Sequence, residues 1–356
     1  MVAAALGYTG GGVYAVLLLD KEPRMSVQFG VVLPQGFKWD LGSLADPVAR
    51  YEAMTRVAVE AERLGYASVW LYDHLHAEQR PSGMLSEELE TLFECWTSTA
   101  ALARDTSTIR IGQMVNCALY RNPALLAKMA STVDILSHGR LDFGLGAGWY
   151  EGEASAYGYP FPDASERLDR LAETLQIVLA LWTEPSATFE GRYYRVRGAI
   201  NEPKGVQRPH IPLWVGGAGE QRTLGLVARY ADACNVIAHD ATTVRRKFAA
   251  LREHCAREGR DYSAIRKSVH TFVVLLEPGE DIDVATRSRG GIGLDMIRRS
   301  NIVGTPGEVA ERLHELVEAG AEYFILYFRN RLVQLDTVRL FARDVMPLFV
   351  GQRRPG

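Results

Sequence analysis

The sequence predicts a single (β/α)8 barrel of the TIM type, with insertions. Three observations support this. Eight short apolar runs alternate with helical patterns along 356 residues. Runs such as IRIGQMV (109–115) and RLDFGLG (140–146) are too short and too uniformly apolar for a half-exposed sheet. They read as strands buried on both faces, as in a parallel sheet. Polar or glycine-rich segments follow them, and parallel α/β proteins keep their chemistry at these carboxyl ends. A doubly wound open sheet is the alternative architecture; the strand count favours closure.

The elements follow in order. A strand over 27–33 opens the series. Helical periodicity over 50–64 stops at Gly65, a natural terminator. A strand at 68–72 precedes a helix at 90–104. The strand at 109–115 precedes a helix at 123–137, with Pro123 well placed in its first turn. A strand at 141–145 leads to a long helix at 167–182. Residues 187–196 alternate like a hairpin, with Glu190-Gly191 at the turn. A loop rich in Pro, Gly and Asn covers 197–210. Strands at 212–215, 233–237, 267–276 and 323–328 then alternate with helices at 221–230, 243–258, 306–319 and 335–348. Residues 278–303 are poorly patterned and read as a lid or insertion. Residues 1–24 contain an apolar run at 13–19 that is too short to span a bilayer and has no basic residue before it. They read as an N-terminal extension, with 25–356 as one domain.

Composition narrows the function. Hydrophobic residues at 47% and charged residues at 23% are ordinary for a soluble globular chain, so no membrane partner is expected. A net charge of -3 gives no reason to expect nucleic acid. Four cysteines (Cys95, Cys117, Cys234, Cys255) without a CxxC pair fit a reducing cytoplasm. No HExxH or Cys/His cluster marks a metal site, and no GxSxG elbow marks a serine hydrolase. Gly144, Gly146 and Gly148 approach the dinucleotide fingerprint, but the third glycine is misplaced.

Several residues invite chemistry. Asp73-His74 ends the second strand, where barrel enzymes place catalytic groups. An imidazole, with an ordinary pKa of about 6.5, exchanges protons near neutral pH. The bland alternative is a pair of turn hydrogen bonds. His76 reads as a loop residue. Gly216-Gly217-Ala218-Gly219 follows the fifth strand and precedes a helix. Glycines there let backbone N–H groups and a helix N-terminus approach an anion, though tight turns need glycine anyway. Small residues at Gly146-Ala147-Gly148 also permit close approach, and Trp149 reads either as a wall for a flat apolar substrate or as core packing. Glu153 reads as a cap for the next segment or as a cofactor contact, the structural role being favoured. Cys117 has no identifiable partner base and reads as a small buried thiol.

Six motifs in order bring a family into view. They are VWLYDHL (69–75), IGQMV followed by YRNPALLAKM (111–129), SHGRLDFGLGAGWYEGE (137–153), FEGRYYR (189–195), PLWVGGAGEQRTLGLVARYADACN (212–235) and VGTPGEVAERL (303–313). Together the chain resembles the bacterial luciferase-like superfamily of flavin and deazaflavin oxidoreductases. The GAGWYEGE and RNPALLAK segments look most like the branch using coenzyme F420, with FMN as the alternative cofactor. The resemblance implies hydride transfer between the ring and a small organic substrate, with His74 as proton donor or acceptor and Asp73 orienting it or touching the ring. It implies a non-prolyl cis peptide at Met114-Val115 pressing on the ring, and a cofactor phosphate held by Gly216, Gly217 and Ala218. Gly148, Trp149 and Asn116 complete the implied cofactor shell. Asn116 and Cys117 depart from the Thr, Gly or Ser more usual at those positions. Trp149 stands where the sugar-phosphate dehydrogenase branch carries a glutamate acid, which argues against that reaction. Rival readings are an FMN-dependent monooxygenase and a cofactor-binding protein without turnover. A homodimer is expected by analogy.

Overall fold

Strand β1 (Gln28–Val32) is buried along almost its whole length, because it has neighbours on both edges and helices outside. It pairs in parallel with β2 (Ser68–Leu71), and β2 pairs with β3 (Arg110–Gln113). The short β4 (Asn116–Cys117) and β3 both pair with β5 (Leu141–Gly146). A separate antiparallel hairpin, β6 (Ala187–Glu190) and β7 (Arg195–Ala199), lies off the main sheet. The sheet continues through β8 (Leu213–Gly216), β9 (Ala233–Ile237) and β10 (Arg266–Leu275); β11 (Ile302–Gly304) pairs outside β10. Strand β12 (Tyr323–Phe328) joins β10 to β1. The pairing of β9 with β10 closes the ring, giving an eight-stranded parallel (β/α)8 barrel. This is a computed structural model, describing residues 27–38, 40–76, 91–217, 219–282, 294–330 and 332–350.

Most departures from the expected elements lie at helix starts. The first helix is Pro47–Arg63, begun by Asp46, whose carboxylate accepts from the Ala49 N–H. The second, Cys95–Asp105, starts later than expected, at a Glu94 cap. Asp163 likewise caps Ala164–Thr183. In each case a side-chain carboxylate satisfies an N–H that the helix leaves unpaired. The last helix stops at Asp344, and a 3-10 turn over Met346–Phe349 accommodates Pro347. A short helix, Glu151–Ala156, interrupts what reads as loop. The excursion at 278–303 includes a helix (Leu294–Ser300) and β11. The proposed extension, residues 1–24, lies outside the described residues, as do 77–90 and 283–293.

The barrel interior is plugged by aromatic rings. Trp70 and Trp214 meet edge to face at 4.8 Å, and Trp214 meets Tyr323 at 5.3 Å. Room for Trp70 comes from β1 and β3, where side chains at Gly30 and Gly112 would collide with its indole at 2.6 and 2.3 Å. All three rings are almost fully buried. Removing such a ring typically costs about 3–5 kcal/mol. The plug separates a cavity at the strands' carboxyl ends from another at their amino ends. Among the described residues, no helix is long and apolar enough to cross a membrane.

Candidate active site

The strand expected over 109–115 ends at Gln113, and the Met114-Val115 peptide that follows is cis. The chain rejoins the sheet at β4, beside Leu145 and Gly146. The Val115 side chain packs against glycine backbone on two strands. A Cβ at Gly146 would lie 2.6 Å from Val115 Cγ2, and one at Gly216 2.7 Å from Cγ1. Those two glycines therefore make room for the bulge. Above it opens a cavity of about 410 Å3. Its lining includes Asp73, His74, Met114, Val115, Asn116, Gly148, Trp149, Gly216 and Gly217. Residues far apart in sequence thus meet around one space. Ala218 lies outside the described residues.

His74 is held on two sides. Its Nδ1 lies 2.8 Å from Oε2 of Glu153, a fully buried carboxylate. Phe37 stacks flat on the imidazole at 3.6 Å and 2°. Glu153 also accepts from Tyr120 Oη at 2.7 Å, from the His76 N–H at 3.1 Å and from the Leu75 N–H. Burial alone pushes the Glu153 pKa up, but the bonds from His74, Leu75 and Tyr120 prevail and hold it below the ordinary value. A charged Glu153 fixes the Nδ1–H tautomer. Nε2 has no hydrogen-bond partner among the described residues.

Asp73 does not orient His74. Its Oδ2 accepts from Arg121 at 2.7 Å and from the Cys117 N–H at 2.9 Å, and its Oδ1 accepts from Arg121 at 3.0 Å. Its carboxylate is buried and needs a cation, and Arg121 supplies one. The orienting role expected of Asp73 thus falls to Glu153, which sequence reasoning took for a structural group. Asp73 instead ties the end of β2 to β4. Gln35 reinforces that end, donating to the Tyr72 carbonyl at 3.0 Å and accepting from the Tyr72 N–H at 2.8 Å.

Asn116 borders the cavity, but its amide faces the core. Oδ1 accepts from Trp96 Nε1 at 2.6 Å, and Nδ2 donates to the Gly144 carbonyl at 2.7 Å. A cofactor contact from that side chain would have to break these bonds. Burial pushes the Cys117 thiol up to about 12, so it stays protonated near neutral pH. Trp149 is not core: it is 58% exposed. Gly148 precedes it at φ +79, and a Cβ there would sit 2.7 Å from Cys117 Sγ.

Sequence reasoning also missed His270, on β10. Its Nδ1 donates to the Ile325 carbonyl at 2.8 Å, leaving Nε2 to accept from Tyr72 Oη at 3.2 Å. Burial lowers its pKa to about 4. A histidine inside an apolar strand was the available signal. Arg121 carried one too, lying within the YRNPALLAKM segment beside a strand-end carboxylate.

The far wall can receive an anion. Helix Thr223–Tyr230 starts without a side-chain cap, next to Gly217 and Gly219. Arg222 joins it to the helix Ala164–Thr183 through Ser165 and Asp169. Arg167, on that second helix, lines the cavity and its buried Nε has no hydrogen-bond partner. Among the described residues, no group of three or more His, Cys, Asp or Glu side chains could hold a metal ion.

Comparison with known proteins places this barrel in a family. The model of the family described as luciferase-like monooxygenase matches residues 27–289. An F420-dependent glucose-6-phosphate dehydrogenase of Kineococcus radiotolerans is 34% identical over 318 residues, covering 82% of this chain and 91% of that protein. An FMNH(2)-dependent dimethylsulfone monooxygenase of Pseudomonas putida is 25% identical over 263 residues, covering 64% and 70%. Among solved structures, an F420-dependent secondary alcohol dehydrogenase in complex with an F420-acetone adduct superposes with a TM-score of 0.73. It covers 90% of this chain and 98% of that one at 19% identity, a likeness of fold.

Proposed function

This chain belongs to the luciferase-like monooxygenase family and is an oxidoreductase, and from that premise we propose that it uses F420, which when bound exchanges a hydride with a small organic substrate. The observation that carries the reading is the His74–Glu153 pair at the edge of a cavity floored by Met114-Val115. Hydride transfer to or from carbon requires a matching proton, and an imidazole suits that task near neutral pH. Glu153 keeps the proton on Nδ1, and Nε2 gives or takes the reacting proton. Phe37 covers one face of the ring and keeps water from it.

The residues present fit the cofactor. Side chains at Gly216 or Gly146 would strike Val115, and Gly217 adopts φ +150, so backbone rather than side chains borders the cavity there. The uncapped start of helix Thr223–Tyr230 and the Arg167 guanidinium suit an anionic tail. Met114 and Val115 would support the ring, with Gly148 and Trp149 beside it. Asn116 contributes its backbone, since its amide is already paired.

Relatives naming F420 and a relative naming FMNH(2) support the same cavity for either ring. Spectroscopic titration of the purified protein with each separates them. We expect tight F420 binding; affinity for FMN with none for F420 would overturn the choice, and oxygen uptake with reduced FMN would establish the monooxygenase. Binding of F420 without turnover of any tested substrate would favour a carrier. Four buried free thiols support a reducing cytoplasm. The dimer is an analogy to luciferase-like barrels, and a monomer in sedimentation equilibrium would remove it.

A further inference from the structure

We propose that the space in front of His74 takes a substrate with a flat unsaturated or aromatic ring, and that Trp149 is its docking surface; this rests on reading the cavity as the redox site. Trp149 stacks on Tyr150 at 5.2 Å and 14°, so one indole face is covered. The 58% exposure belongs to its other face and edges. Trp149 lines the cavity, so its open face borders the space beside His74. Its indole plane stands at 78° to the imidazole of His74, 5.6 Å away, and at 78° to Phe37 at 6.5 Å. Phe37 blocks one imidazole face, so a substrate reaching Nε2 must pass beside the indole.

The wall beside His74 is aromatic: Phe37, Trp149 and Tyr150 line the cavity there, with 78° between the Phe37 and Trp149 planes. Lys38 and Arg167 line the same cavity, Lys38 with its ammonium 4.7 Å from the Phe37 centroid and Arg167 over Phe161 at 4.1 Å. Charge therefore does not discriminate among substrates here, whereas aromatic faces select flat rings.

Calorimetric titration of the full chain, alone and saturated with F420, tests this. The probes are 2-naphthol, menadione and cyclohexenone as flat molecules, with cyclohexanol as the puckered one. At least one flat probe should bind more tightly than cyclohexanol. In the F420-saturated protein Trp149→Ala should weaken it about 10-fold, and Trp149→Phe should restore most of the loss. Tighter binding of cyclohexanol, or ring binding unaffected by Trp149→Ala, would overturn the proposal. Absence of F420 binding by the parent chain, with ring binding intact, would instead sink the cofactor assignment and leave this one standing.

Discussion

Nδ1 of His74 and Oε2 of Glu153 lie 2.8 Å apart, though 79 residues separate them in the chain. The carboxylate accepts every hydrogen bond it makes. Replacing Glu153 with Gln keeps the shape but turns an amide NH2 toward either His74 and Tyr120 or the Leu75 and His76 N–H groups. We expect turnover to fall about 100-fold, because the imidazole loses its fixed tautomer. Stability should fall by about 1–3 kcal/mol through mismatched buried donors. His74→Ala should cost turnover about 100-fold or more with F420 affinity nearly unchanged. Steady-state kinetics alongside cofactor titration would check both, and unchanged turnover in His74→Ala would remove it as the proton carrier.

The Val115 side chain sets a second prediction. Gly216→Ala would place a methyl 2.7 Å from Val115 Cγ1. Overpacking of this kind costs about 1–3 kcal/mol. Val115→Ala in the same chain should recover much of that loss, since the two sites are in contact. Urea denaturation of both single variants and the double variant measures the coupling. Additive losses would show that the contact is unimportant.

Arg121 neutralises the buried Asp73. Arg121→Met would strand that carboxylate, which should cost about 3–5 kcal/mol. Asp73 also anchors the Cys117 N–H, so turnover should drop as β4 loosens. Denaturation midpoints and kcat would report these effects. A variant as stable as the parent would mean Asp73 is solvated or otherwise paired.

His270 gives a pH dependence with a definite sign. Burial lowers its pKa from 6.5 to about 4 in the folded chain. Between those values the unfolded chain binds a proton that the native state does not. Stability should therefore decline as pH falls through this window, by about 3 kcal/mol in total, and level off below it. His270→Gln should flatten that part of the stability curve. Urea denaturation from pH 7 to pH 4 would show it, and identical slopes in both proteins would refute the assignment.

Much of the site was legible. Asp73-His74, Met114-Val115 and the Gly216-Gly217 turn follow buried strands, and the strand-end rule brings them to one rim. Glu153 was not legible as the partner of His74, because nothing local links residues 79 apart. The exposure of Trp149 was equally hidden, since an indole after a glycine turn packs inward or outward with the same sequence. Asn116 looked like a cofactor contact by position, yet it faces Trp96 and Gly144.

The linear pattern of apolar runs, helix stops and glycine turns determined the barrel and which segments lie at its open end, because period and turn chemistry are local properties. Folding alone decided which buried charge pairs with which. A buried carboxylate must find its donor somewhere, but only three-dimensional closure selects Arg121 for Asp73 and His74 for Glu153.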